Sequence, residues 1–205
     1  MSWRALEEEL ARWRGAGRTV EFWWRDDDAS RPCEPLARLL ALSQRAAVPL
    51  ALAVVPLEAS PGIFAGLRAS VLMHGTDHRN RAAAGEKKTE FPGAEPEAAA
   101  LERLGRARER LAALAGSGWL PVLAPPWNRF ARALVARLPQ AGLHGFSAYG
   151  ARRAAQAASG VIEVNTHVDI IDWHGSRRFA GDGAVLGAAA RHLAARREGA
   201  ADATE

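Results

Sequence analysis

Residues 50–55 read Leu50-Ala51-Leu52-Ala53-Val54-Val55, an unbroken apolar run set between Pro49 and Pro56. A run this short and without polar alternation is what a strand buried on both faces of a parallel sheet requires. Ser70–Met73 (SVLM) repeats the pattern and leads into HGTDH, His74–His78. Upstream, Thr19–Trp24 (TVEFWW) is β-branched and aromatic and reads as a strand ending at Asp26-Asp27-Asp28. Trp119–Leu123 reads as a strand that two prolines end at APPWNR, and His144–Ala148 and Val161–Thr166 read as two more, the last delivering HVDIIDW.

Between these strands lie helical patterns. Pro35–Ala46 turns Leu36, Leu39 and Leu40 inward, Pro96–Gly116 is a long helix, Arg129–Leu138 a shorter one, and Asp182–Arg197 the last. Ser2–Arg14 puts Trp3, Leu6, Leu10 and Trp13 at helical spacing until Gly15 and Gly17 stop it. Residues 75–95 are polar, glycine-rich and aperiodic, which predicts a long surface loop. Strands alternating with helices imply an α/β fold with a largely parallel sheet, whose catalytic groups gather at the carboxyl ends of the strands. No internal repeat or interdomain linker is visible. The expected organisation is an N-terminal helix over 1–18, one catalytic domain over 19–198 and a frayed polar tail over 199–205.

Composition narrows the class. The chain has 205 residues, 48% hydrophobic and 24% charged, which excludes a disordered chain, a collagen-like repeat and a coiled coil. The longest apolar stretch, Ala46–Leu57, is broken by two prolines and falls short of the ~18 residues a membrane span needs. MSWRALEEELARWRG has no apolar signal region, and the single Cys33 forms no internal disulfide, so a cytoplasmic location is expected. Net charge is +4, and Lys87 and Lys88 are the only lysines among 27 basic residues. The arginines are dispersed and interleaved with Glu, so the pI of about 10.1 reflects arginine-rich composition; no nucleic-acid partner is expected.

Four polar clusters follow the expected strands: Asp26-Asp27-Asp28, His74 with His78, Pro125-Pro126-Trp127-Asn128, and His167–Trp173. Three adjacent carboxylates repel one another unless a cation or hydrogen-bond donors offset them; otherwise they are a solvated loop or helix cap. Histidines four apart can share one metal ion, although the Glu of HExxH is absent and two polar loop histidines are the plain alternative. Two His and one carboxylate form an established zinc set with an open position for water, and a second carboxylate beside the ligand can serve as general base.

An Asp dyad after strand one, HxxxH after strand three, a Pro-Pro-aromatic turn and DxxDW together resemble the polysaccharide deacetylase family (carbohydrate esterase family 4, the NodB-homology domain). The resemblance runs from about Thr19 to Arg197 and is greatest to a divergent branch with DDDA in place of TFDDG. It implies an irregular (β/α) barrel and metal-dependent hydrolysis of the N-acetyl group of an amino sugar or related carbohydrate, with zinc or another divalent transition metal as cofactor. By this resemblance Asp27 is the catalytic base and Asp28, His74 and His78 are the metal ligands; a one-residue slip would give Asp26 and Asp27 instead. Trp127, between Pro126 and Asn128, supplies a backbone N–H to the oxyanion. Asp169 and Asp172 support the site, Trp173 forms a sugar-stacking wall, and Pro126, Asn128 and His167 join it in contacting substrate.

Two departures from the family accompany the match. Ala124 stands where the family has the arginine that pairs with the base, leaving Arg129 or Arg25 to supply that charge. After HVDIIDW no Leu-x-His follows, so the barrel is expected to lack its last strand and with it the histidine acid, for which His167 and His174 are the nearest substitutes. The alternative to an enzyme is therefore a catalytically impaired relative that binds metal or carbohydrate. Lys87 and Lys88, in the loop after the metal histidines, are either a solvated turn or a grip on an anionic substrate.

Overall fold

The computed structural model describes residues 3–202 and Thr204. Ser2 of the first expected helix and Ala203 and Glu205 of the tail lie outside the described residues. In chain order the main elements are α1 (Trp3–Gly15), β1 (Arg25–Ala29), α2 (Glu34–Ala46), β2 (Ala51–Val54), β3 (Ser70–Met73), α3 (Glu97–Ala115), β4 (Trp119–Leu123), α4 (Arg132–Val135), β5 (Gly145–Phe146), β6 (Gln156–Ala158), β7 (Val161–Glu163) and α5 (Asp182–Arg197). They divide into two compact units, one of Trp23–Ala148 with Gln156–Glu163, the other of Met1–Phe22, Tyr149–Ala155 and Val164–Glu205.

The first unit carries the sheet, ordered β1-β2-β3-β4-β5-β7-β6. Every neighbouring pair is parallel except the β6–β7 hairpin. The apolar run that predicted a doubly buried strand is such a strand: Leu52, Ala53 and Val54 are all fully buried. One core gathers Leu52, Val54 and Met73 with Leu104 and Leu111 of α3 and Leu123 of β4. Burying each such side chain contributes roughly 2 kcal/mol before entropy is counted.

Three elements differ from the expectations. The first strand is not Thr19–Trp24 but Arg25–Ala29, because its partner β2 meets it from Trp24 onward: Ala51 N–H donates to the Trp24 carbonyl at 2.8 Å, and Arg25 then pairs with Ala51. The aspartates therefore lie within the strand rather than after it. The helix expected over Arg129–Leu138 contracts to α4, because the backbone before it bonds elsewhere. Thr89 Oγ1 donates to the Arg129 carbonyl and Ala131 N–H to the Phe91 carbonyl. Consequently the loop over 75–95 is not all surface: Glu90 and Phe91 have no exposed area. Finally β6, with the sequence QAA, carries no apolar alternation, and nothing in the sequence marks it as a strand.

In the second unit, α1 and α5 pack through Leu6, Trp13, Leu186, Ala189 and Leu193. Trp13 Nε1 donates to the Leu193 carbonyl at 3.1 Å. Glu9 is buried beside them and pairs with Arg197 (2.7 Å) and Arg12 (2.9 Å). No helix among the described residues is long and apolar enough to cross a membrane.

Candidate functional site

The site is assembled in the first unit from the ends of β1, β3 and β4. Between Asp26 and Ala29, β1 advances three residues while β2 advances two, from Leu52 to Val54, so one extra residue forms a bulge. Asp28 takes it up at φ 68°, a left-handed conformation uncommon for a residue with a side chain. Strict alternation would send Asp27 and Asp28 to opposite faces of the sheet; the bulge re-aims Asp28.

Asp28 meets both histidines. Its Oδ1 lies 3.2 Å from His74 Nε2 and 3.0 Å from His78 Nε2, and the ligand atoms of the three residues are all within 4.8 Å of one another. Two metal–ligand bonds of ~2.0–2.1 Å at a tetrahedral angle hold their ligand atoms about 3.3 Å apart, so these spacings suit a divalent transition metal. The tautomer agrees. His74 Nδ1 lies 2.9 Å from the Ala124 carbonyl, which can only accept, so Nδ1 carries the proton and the neutral ring presents a lone pair at Nε2. That lone pair faces a carboxylate oxygen, and two acceptors at this distance need a proton or a cation between them. Asp28, His74 and His78 can therefore hold a metal ion.

The close approach of His74 and His78 holds the Asp28 carboxyl well below the usual carboxylate range. Reciprocally, the Asp28 carboxylate raises the His78 imidazole. Asp26 goes the other way, pushed up to about 6 by burial and then by the charges of Asp27 and Asp28.

Asp27 is gripped by Arg25. Nε of Arg25 lies 2.8 Å from Asp27 Oδ1 and Nη2 lies 2.9 Å from Oδ2. The guanidinium is itself fixed by Ser147 Oγ (2.7 Å), the Ser147 carbonyl (3.1 Å) and Asn128 Oδ1 (3.0 Å). Of the two arginines that sequence offered for the position vacated by Ala124, Arg25 pairs with Asp27, while Arg129 donates to the Lys88 carbonyl. Sequence reading left Arg25 as one of two choices and gave Ser147 no role.

The Pro125–Asn128 turn closes against the histidines. Trp127 (φ 56°) and Asn128 (φ 54°) are both left-handed, and the Trp127 ring lies 4.5 Å from that of His78, whose own φ is 55°. Of the six residues other than glycine with positive φ among those described, four are Asp28, His78, Trp127 and Asn128. Such strain, of order 1–3 kcal/mol each, persists where the surroundings over-determine it and concentrates at functional sites. Gly75 (φ 61°) has no room for a side chain: a Cβ there would overlap Glu90 Oε2 and lie 2.7 Å from Pro126 Cδ.

The remaining expected site residues lie in the second unit. Asp169 accepts from the Ile171 N–H (2.8 Å) and from Trp173 Nε1 (2.7 Å), so it sets the orientation of an indole that is 59% exposed. Asp172 accepts from the backbone N–H groups of Gly175 and Ser176, both at 2.9 Å, which lowers its carboxyl. His167 stacks on His192 with ring centroids 3.8 Å apart, and burial lowers its imidazole.

No protein-family model matches the sequence, and no curated protein matches it. Solved structures do. A de-N-acetylase from Aggregatibacter actinomycetemcomitans aligns over 80% of this chain and 76% of its own, with a TM-score of 0.51 and 12% identity. A protein assigned as a polysaccharide deacetylase from Mycobacterium smegmatis aligns over 80% of this chain and 58% of its own, with a TM-score of 0.51 and 17% identity. The chain thus has an α/β fold of the polysaccharide deacetylase type.

Proposed function

We propose that the protein belongs to the polysaccharide deacetylase family and is a metal-dependent hydrolase that removes the acetyl group from an N-acetylated amino sugar or related carbohydrate. The observation that carries this reading is the Asp28–His74–His78 triad beside the Arg25–Asp27 pair, on a fold that the deacetylase structures share. In it, Asp28, His74 and His78 hold a divalent metal, with zinc the expected ion. Such a metal, when bound, supplies Lewis-acid polarisation of a carbonyl oxygen and a lowered pKa for water.

The chain's own residues supply the rest. Asp27 accepts the proton of the attacking water through Oδ2: the side chain is 30% exposed although Oδ1 is buried, and Oδ2 keeps a lone pair beyond the one Arg25 engages. Arg25 fixes the angle of that acceptor, and Asn128 links it to the Pro-Pro-Trp turn. The Trp127 backbone N–H donates to the oxygen that becomes negative as the acetyl carbon turns tetrahedral, an effect on the order of 3 kcal/mol for one such donor. Asp169, Asp172, Trp173 and His167 keep the supporting and sugar-contacting roles that the family resemblance assigns. A reducing cytoplasm as the working compartment is supported by the single, exposed and unpaired Cys33.

The test joins metal analysis to product release. The purified chain is expected to bind one equivalent of zinc, cobalt or nickel and to lose it in the double variant His74→Ala, His78→Ala. Acetate is expected from N-acetylated chitooligosaccharides or other N-acetylhexosamine substrates. A chain that takes up none of these metals refutes the proposal, whereas one that binds metal and sugar without releasing acetate is a non-catalytic relative.

A further inference from the structure

The loop that carries the two histidines is held from behind by a group for which the proposed chemistry has no direct use. Glu90 is fully buried, although a carboxylate in that position costs several kcal/mol of lost hydration. Its Oε1 accepts from the Thr76 N–H at 2.9 Å, from the Asp77 N–H at 3.2 Å and from the Thr76 hydroxyl. Thr76 and Asp77 are the centre of His74-Gly75-Thr76-Asp77-His78, so one carboxylate oxygen gathers the backbone between the two imidazoles. The other oxygen, Oε2, has no hydrogen-bond partner among the described residues and fills the space a Cβ on Gly75 would take, where the Pro126 ring also closes in.

The surrounding contacts tie Glu90 to the rest of the site. Its own carbonyl accepts from Arg103 of α3 at 3.3 Å, and its neighbour Phe91 packs on Phe130 with centroids 4.9 Å apart. Behind Oε1, Arg81 Nη1 stands at 3.7 Å, but that guanidinium is already committed to both oxygens of Asp77, at 2.8 Å each. Arg79 Nε also stands 3.7 Å from Asp77 Oδ2, so both guanidiniums turn to Asp77, and Glu90 has only the long approach of Arg81 among the described residues. A neutral glutamine would give the same backbone donors an acceptor without the desolvation cost. What the carboxylate adds is stronger, charge-assisted bonds and a field that favours a cation at the imidazoles.

We propose that Glu90 is a positioning residue of the metal centre: its buried carboxylate fixes the backbone between His74 and His78 and biases that site toward a divalent cation. The proposal rests on the reading of Asp28, His74 and His78 as metal ligands, and its test separates the two. The full chain, stripped of metal, is titrated with Co2+ in competition with a chelator of known affinity, and the d–d absorption of the bound ion is recorded. Wild type is compared with Glu90→Gln, which keeps shape and an accepting oxygen, and with Glu90→Ala.

Glu90→Gln is expected to fold with little change in Tm, to bind Co2+ about tenfold more weakly and to shift the d–d bands. Glu90→Ala is expected to lose about 10–100-fold, the range for outer groups that orient metal ligands. Wild-type affinity and an unshifted spectrum in a folded Glu90→Gln chain overturn this proposal alone. A Glu90→Gln chain that fails to fold overturns it too, since the role would then be one of stability. A wild-type chain that binds no Co2+, Zn2+ or Ni2+ overturns the metal-site reading and takes this proposal with it.

Discussion

Arg25 and Asp27, two residues apart on β1, form a two-point ion pair at 2.8 and 2.9 Å in which the guanidinium is almost wholly buried. Residues i and i+2 of a strand share a face, so the pair is local. Its other bonds, to Ser147 and Asn128, bring in the end of β5 and the Pro-Pro-Trp turn. Lysine cannot reproduce a planar fork with this many partners. Arg25→Lys is therefore expected to lower kcat for acetate release by roughly 100-fold, within the span that positioned acid–base groups contribute. Metal content should stay unchanged, because Asp28 and the histidines do not touch Arg25. Steady-state kinetics and metal analysis of the same preparation check both halves.

Gly75→Ala tests how tightly the histidine loop is closed. Alanine is disfavoured at φ 61°, and its methyl would have to displace both the buried Glu90 carboxylate and the Pro126 ring. Overpacking and backbone strain together are expected to cost roughly 3–5 kcal/mol. Denaturant unfolding of the purified variant measures this. A loss below about 1 kcal/mol would mean that the loop adjusts freely.

Much of the parallel sheet can be read from the chain, because strands buried on both faces have to be apolar without interruption: Ala51–Val54 and Ser70–Met73 have no other reading in so short a span. α3 and α5 are equally plain, with ends close to those the sequence predicts. The first strand misleads because Thr19–Trp24 has the higher β-propensity, yet pairing with β2 falls on the acidic RDDDA beside it. A strand is defined by its ladder partner, and propensity is a weak guide to that. The site's residue types are visible as Asp, His and Trp motifs. Their geometry is not, because the left-handed backbone at Asp28, His78, Trp127 and Asn128 is imposed by tertiary contacts on residues that do not favour it. Glu90 was hidden for a related reason: a polar, aperiodic loop reads as solvated, and nothing local announces that one of its carboxylates is buried. The two-unit division is also hidden, since one unit is built from three separated stretches of chain.

Glu9 of α1 gives the pH dependence of stability. Hydrogen bonding to Arg197, then to Arg12, lowers its carboxyl despite burial. A depressed folded-state pKa means that this stabilisation is fully present above the unfolded Glu value near ~4.3 and is lost as pH falls through the folded value. Because Arg12 is more than half exposed and solvent screens it, the Glu9 network contributes only about 1–2 kcal/mol. Glu9→Gln should lower Tm at pH 7 by about 2–8 °C for a chain of this size. The difference from wild type should shrink steadily below pH 4. Thermal unfolding of both proteins from pH 3 to 7 follows it, and a constant gap across that range would exclude the ion pair as its source.

Lys87 and Lys88 are exposed, at the end of the exposed stretch 83–88 of the 75–95 loop. Immediately after them Thr89, Glu90 and Phe91 are tied down, so removing the whole segment would damage the histidine loop as well as the lysines. Substituting the two side chains isolates their charge. The Lys88 carbonyl accepts from Arg129 at 3.1 Å, and Arg129 directly follows Asn128, so the lysine pair is anchored to the Pro-Pro-Trp turn. If the pair grips an anionic substrate, Lys87→Ala with Lys88→Ala should raise KM several-fold with kcat unchanged. Each exposed charge contributes on the order of 0.5–1 kcal/mol, and the effect should fade as salt screens it over a Debye length of ~8 Å. A neutral N-acetylhexosamine substrate should be indifferent to the change. Equal KM values for the wild type and the double variant on a charged substrate would reduce the lysines to a solvated turn.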